Sequence, residues 1–201
     1  MSAARAKSAQ PAKLEQPVVT FASPAAFRRW LKANHSSHHG IWLKIAKKGS
    51  GLASVSYAEA LDEALCFGWI DGQKQGHDER WFRQKFTRRG PRSQWSKINV
   101  GHVARLTQEA RMQPAGQAAV DAAKADGRWA QAYAPAREAQ VPADFLAALV
   151  PHPAARAFFA TLNRANHYSI FYRLLTAKRP ETRARRLALI VEMMKRGEKF
   201  H

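Results

Sequence analysis

The chain has one cysteine among its 201 residues, so it can form neither an internal disulfide nor a CxxC metal or redox pair. No stretch of about eighteen apolar residues runs together as a membrane-spanning helix requires, and "MSAARAKSAQPAKLEQP" at the start lacks an apolar h-region. These absences predict a soluble, cytoplasmic protein. There is no GxSxG elbow, Walker loop, dinucleotide fingerprint or HExxH pair, so the hydrolase, NTPase and dehydrogenase classes lose their usual sequence support. "HSSHHG" places His35, His38 and His39 close together, but no acidic or cysteine ligand is near and Gly40 ends the segment. Neither a metal nor a cofactor is expected. Acidic residues are also scarce: 15 Asp plus Glu face 33 Lys plus Arg, a formal net charge of +18. Such an excess concentrates anionic partners around the chain, or it reflects arginine used as a solvated surface residue.

What is present orders itself into two parts. Residues 1–17 are rich in Ala, Lys, Gln and Pro and are expected as a disordered tail. Ser23-Pro24 reads as a cap and first helical position, with Phe27, Trp30 and Leu31 following at helical spacing. "GIWLKIAKK" alternates Ile41, Leu43 and Ile45 against Trp42 and Lys44, the period of a half-buried strand. Ser56 and Glu59 form a capping box for a helix that ends near Phe67-Gly68. "WIDGQKQ" and "RWFRQKF" then form a hairpin, the second run placing Trp81, Arg83 and Lys85 on one face and Phe82, Gln84 and Phe86 on the other. Ser93 is expected to cap a helix carrying Trp95, Ile98, His102 and Leu106, and Pro114 to open one reaching about Ala125. Beyond a linker near "APAREAQ", helices start at Pro142, Pro153, about Tyr168 and Pro180. The expectation is an α+β fold: an α+β domain over 18–133 with an antiparallel sheet and packed helices, then an all-helical region over 134–201.

"ALCFGWIDGQ", "FTRRGPRSQWSKIN", "RMQPAG", "AKADGRW", "VPADF" and "AKRPETRARR", in this order and at these intervals, resemble the YdeI/OmpD-associated family, also called bacteriocin-protection proteins. The resemblance runs from about Phe21 to Met194. The family pattern has Phe-Thr-Pro-Arg-Arg where this chain has Arg88 and Arg89 directly after Thr87, with the proline later as Pro91. The resemblance implies a cytoplasmic bacterial protein linked to stress or bacteriocin tolerance, and it carries no reaction, cofactor or catalytic residue with it.

Function is therefore read from the residues. Cys66 falls in the last turn of its helix, where the dipole disfavours a thiolate, and reads as a small core residue. Trp69 and Asp71 share a strand face. Asp71 either holds local structure or orients a ligand, and it is the one weak candidate for a catalytic acid/base. From Arg80 to Lys97 seven cations occur without an acidic residue, interleaved with Trp81, Phe82, Phe86 and Trp95, a pattern suited to phosphate oxygens and flat rings. The first expectation is a basic, aromatic-lined pocket of Trp69, Asp71, Arg83, Lys85, Arg88, Arg89, Trp95 and Ser96. It would receive an anionic small molecule or an acidic protein surface, with a helix start at Ser93–Ser96 helping to hold the anion. The alternative is a nucleic-acid-binding protein using Arg80, Arg92, Lys97, Lys178, Arg179, Arg183 and Arg186. A small enzyme with Asp71 as acid/base is the weaker alternative.

Overall fold

Capping chemistry and hydrophobic period place the elements of the computed structural model, which describes residues 16–201; residues 1–15, most of the expected tail, lie outside the described residues. In chain order these are β1 (Val18–Thr20), α1 (Pro24–Asn34), β2 (Gly40–Ala46), α2 (Tyr57–Cys66), β3 (Trp69–Gly76), β4 (Trp81–Arg88), α3 (Lys97–Gln108), α4 (Pro114–Ala125), α5 (Ala143–Leu149), α6 (Pro153–Thr161), α7 (Arg164–Leu175) and α8 (Pro180–Lys195). They fall into two units: residues up to Trp95 with Asn99–Ala132, and Tyr133–His201 with Ser96–Ile98.

In the first unit the sheet order is β1-β2-β4-β3. β2, β4 and β3 are antiparallel neighbours, and β1 adds a parallel edge strand against β2. Ser23 accepts from the Ala26 N–H at the start of α1, and Ser56 and Glu59 close a reciprocal capping box on α2. These caps satisfy helix-end donors that would otherwise face solvent alone. Phe27 and Leu31 of α1 and Ala60, Leu61, Ala64 and Leu65 of α2 join Ile41, Leu43, Ile45, Trp69 and Phe86 in one buried core.

The "ALCFGW" segment is a joint between packed elements. Gly68 takes the left-handed conformation (φ +73°) that ends α2, and its carbonyl accepts from Arg89 N–H. Gly116 of α4 lies against the end of α2 so closely that a Cβ there would sit 2.2 Å from the Cys66 carbonyl oxygen. Cys66 is fully buried, and burial first, then the Glu63 carboxylate, push its thiol pKa up against the pull of Arg28 and Arg111. Glu63 is itself buried and bridges Arg28 (2.7 Å) and Arg111 (2.8 Å), tying α2 to α1 and to the segment after α3. A raised thiol pKa and full burial make Cys66 a packing residue rather than a nucleophile.

The second unit is helical. Phe145 and Leu149 of α5, Ala155 of α6, Ile170 and Leu174 of α7, and Ile190, Val191 and Met194 of α8 form its core. α7 begins four residues before the expected Tyr168, because the Asn163 side chain caps it by accepting from Asn166 N–H.

Candidate functional site

Pairing of β2 with β4 assembles a group of side chains that no single strand shows. Trp42 lies opposite Lys85, Lys44 opposite Arg83, and Ala46 opposite Trp81. Residues directly opposite share a face, so Trp42, Lys44, Trp81, Arg83 and Lys85 stand together on the side away from α1 and α2. None of them is buried. The Arg83 guanidinium carbon lies 5.0 Å and Lys85 Nζ 5.8 Å from the Trp42 ring centroid, and Lys44 Nζ lies 5.0 Å from that of Trp81. These are cation–π distances. Arg83 Nε donates to Gln75 Oε1 at 2.9 Å, and a Cβ on Gly72 would lie 3.6 Å from Lys85 Cβ, so the lysine stem runs flat over the neighbouring strand. No carboxylate pairs with Lys44, Arg83 or Lys85 among the described residues. Asp78 in the β3–β4 turn uses its Oδ1 on the N–H groups of Arg80 and Trp81. Those bonds lead the causes that hold its pKa below the carboxylate range, with Lys44 a lesser one.

The other face corrects the expected pocket. Asp71 pairs with Phe86 and Trp69 with Arg88, which sets the aspartate on the helix-covered side. There its Oδ2 accepts from Tyr57 Oη at 2.8 Å, while Trp69 is fully buried and donates from Nε1 to His35 O at 3.0 Å. Asp71 therefore does not share a hollow with Arg83 and Lys85; strand pairing puts the carboxylate and the cations on opposite faces. A bulge between Asp71 and Lys74 follows, and the buried Gln84 amide donates to the Gly72 and Gln73 carbonyls there. This satisfies backbone oxygens next to the break in the ladder.

The remaining members disperse as well. Arg88 is exposed and donates to Ser36 O at 3.0 Å. Arg89 lies 3.5 Å from the Trp95 ring centroid and donates to Gln94 O, and Trp95 is buried edge-on to Trp129. The helix expected from Ser93 begins at Lys97 instead, because Ser93 Oγ accepts from Gly90 N–H and closes a turn rather than a cap. Trp95 and Ser96 thus precede α3; Ser96 is buried and bridges to Tyr133. No anion-holding helix start forms over Ser93–Ser96. Arg80, Arg92, Lys97, Lys178 and Arg179 are exposed. Arg183 is spent on Asp144, whose pKa it lowers, and Arg186 donates to the Arg173 carbonyl.

Trp42, Lys44 and Trp81 were missing from the expected site. Alternation had already turned Trp42 and Lys44 to one side of their strand, and Trp81 to the side of Arg83; the β2–β4 pairing was the missing link.

Among the described residues no helix is long and apolar enough to cross a membrane. No curated protein and no solved structure matches the chain at a significant level. Two family models do: a domain of unknown function, DUF8412, over residues 19–119, and the bacteriocin-protection, YdeI or OmpD-associated domain over residues 138–197. The chain therefore belongs to the DUF8412 family through its N-terminal half and carries the YdeI/OmpD-associated, bacteriocin-protection domain in its C-terminal part.

Proposed function

We propose that the chain binds single-stranded nucleic acid on the open face of its sheet and acts through that binding in stress or bacteriocin tolerance. The observation that carries this reading is the cluster of Trp42 and Trp81 with Arg83, Lys85 and Lys44 on one unburied face. Half-buried indoles offer stacking surfaces to bases of any sequence where the cations over them leave the rings open, and those cations meet the phosphates between bases. An unenclosed sheet face suits an extended polymer better than a small ligand, which gains most of its affinity from enclosure. The excess of basic residues favours the same class of partner through long-range attraction.

The test is fluorescence anisotropy of a labelled oligothymidine with the full chain over a salt series. Each phosphate contact to a single strand contributes about −0.7 to the slope of log K against log salt. Three contacts from Lys44, Arg83 and Lys85 thus predict about a 20-fold loss of affinity between 50 and 200 mM salt. Trp42→Ala should weaken binding by about 1–3 kcal/mol, and Arg83→Gln with Lys85→Gln should flatten the salt slope. Binding that is absent at low salt, or indifferent to all three substitutions, refutes the reading.

A further inference from the structure

We propose that the C-terminal unit holds a separate binding site, for a small molecule that joins an aromatic ring to a phosphate or carboxylate group. A cleft of about 420 Å³ is lined by Tyr168, Ser169, Tyr172 and Arg173 of α7, Thr176 just beyond it, and Arg186 of α8. Ligand pockets run from roughly 300 to 1,000 Å³. Residues 168, 172 and 176 recur every four positions, and 169 and 173 form the adjacent row, while Ile170 and Leu174 turn to the core. One helix thereby presents rings and hydrogen-bonding groups together on a single side.

The two arginines give the cleft its charge. Arg186 Nη1 donates to Arg173 O at 2.7 Å and to Thr176 Oγ1 at 3.2 Å, which pins its guanidinium at the C-terminal end of α7. Closing helix-end carbonyls is a sufficient structural reason for one nitrogen of Arg186. It leaves the rest of the guanidinium fork, whose geometry fits a carboxylate or phosphate in two-point contact. Arg173 lies with its guanidinium carbon 4.3 Å from the Phe200 ring centroid. Arg183, on the same helix as Arg186, is neutralised by Asp144, whereas neither Arg173 nor Arg186 has a carboxylate partner among the described residues.

The aromatic wall is held in place. Tyr168 packs on Phe171 and Tyr172 at 5.8 and 6.1 Å, and Tyr172 meets Tyr133 edge-on at 5.2 Å. Burial, with a smaller contribution from Tyr172, raises the Tyr168 pKa, so its hydroxyl remains a donor at neutral pH. Ser169 Oγ, 2.8 Å from His201 Nε2, completes the polar rim.

Calorimetric titration of the full chain with phenyl phosphate, inorganic phosphate and benzyl alcohol tests the site. Phenyl phosphate is expected to bind saturably and more tightly than inorganic phosphate, with benzyl alcohol giving no saturable heat. Arg173→Gln and Arg186→Gln should each weaken phenyl phosphate by about tenfold or more, the loss of a charge-assisted contact. Arg173 is exposed, so its variant keeps the test sound even where loss of the Arg186 bonds loosens α7. Arg156→Gln, exposed on α6, should leave binding unchanged. The proposal is overturned if phenyl phosphate shows no saturable binding up to millimolar concentration. It is equally overturned if inorganic phosphate binds as tightly, if neither cleft variant weakens binding, or if Arg156→Gln weakens it as much as they do.

Discussion

Glu63→Gln isolates what the buried ion network contributes. The Glu63 side chain keeps only 6 % of its surface exposed, while Arg28 and Arg111 each keep 33 %. The substitution preserves shape and removes the charge that both guanidinia face. Leaving a fully buried partner unpaired costs about 3–5 kcal/mol. Water still reaches a third of each arginine here, and Arg111 retains Glu109 at 3.1 Å and Asp62 at 3.7 Å. Arg28 has no second carboxylate in reach among the described residues; its other contacts include the Arg111 carbonyl, the Phe67 ring and the Cys66 thiol. The cost therefore concentrates on one cation, and we expect a loss of about 2–3 kcal/mol in the N-terminal unit. That corresponds to a fall in its melting temperature of roughly 8–12 °C. The assay is thermal and urea denaturation followed by tryptophan fluorescence, with the helical unit's transition treated separately. A change below about 0.5 kcal/mol would overturn this expectation, since it would mean the network is as solvated as an ordinary surface pair.

Further outcomes follow from other contacts. Gly116→Ala should destabilise the N-terminal unit by at least about 1–3 kcal/mol, because its new carbon would meet the Cys66 carbonyl at 2.2 Å and backbone yields less than a side chain; denaturant unfolding measures it. The Asp144 pKa is depressed, first by its hydrogen bond from Arg183, so the pair stabilises fully above the unfolded value near about 3.9. That stability disappears as pH falls through the lower folded value. Asp144→Asn should therefore cost about 0.2–1 kcal/mol at neutral pH, as for half-exposed pairs, and flatten the acid limb of the pH–stability curve. In ultraviolet titration Tyr168, raised chiefly by burial, should ionise later than a free phenol, and Tyr168→Phe should remove that late step.

Much of the fold was legible because its signals are local. Ser23-Pro24, the Ser56/Glu59 box, Pro114 and Pro180 each act within one helical turn, and each marks a helix start in the structure. Ser93 misled because its hydroxyl serves the Gly90 N–H instead of a helix end. Asn163 was overlooked as the cap of α7, and β1 has only three residues, whose partner strand lies more than twenty positions away. The site was half legible for a related reason. Alternation sorted each strand's residues into two faces correctly, but it does not say which face of one strand adjoins which face of the next. That depends on register, where a shift of one residue exchanges the faces. Asp71 opposite Phe86, and Lys85 opposite Trp42, settle it here.

Under the proposed function the unburied indoles of the sheet contact a nucleic-acid strand while the buried ones do not. Indole N–H signals in a two-dimensional NMR titration with oligothymidine read this directly. Saturable shifts of Trp42 and Trp81 are expected, with Trp69 and Trp95, both buried, unmoved. Saturation that leaves Trp42 and Trp81 in place, or that moves the buried pair instead, would contradict it.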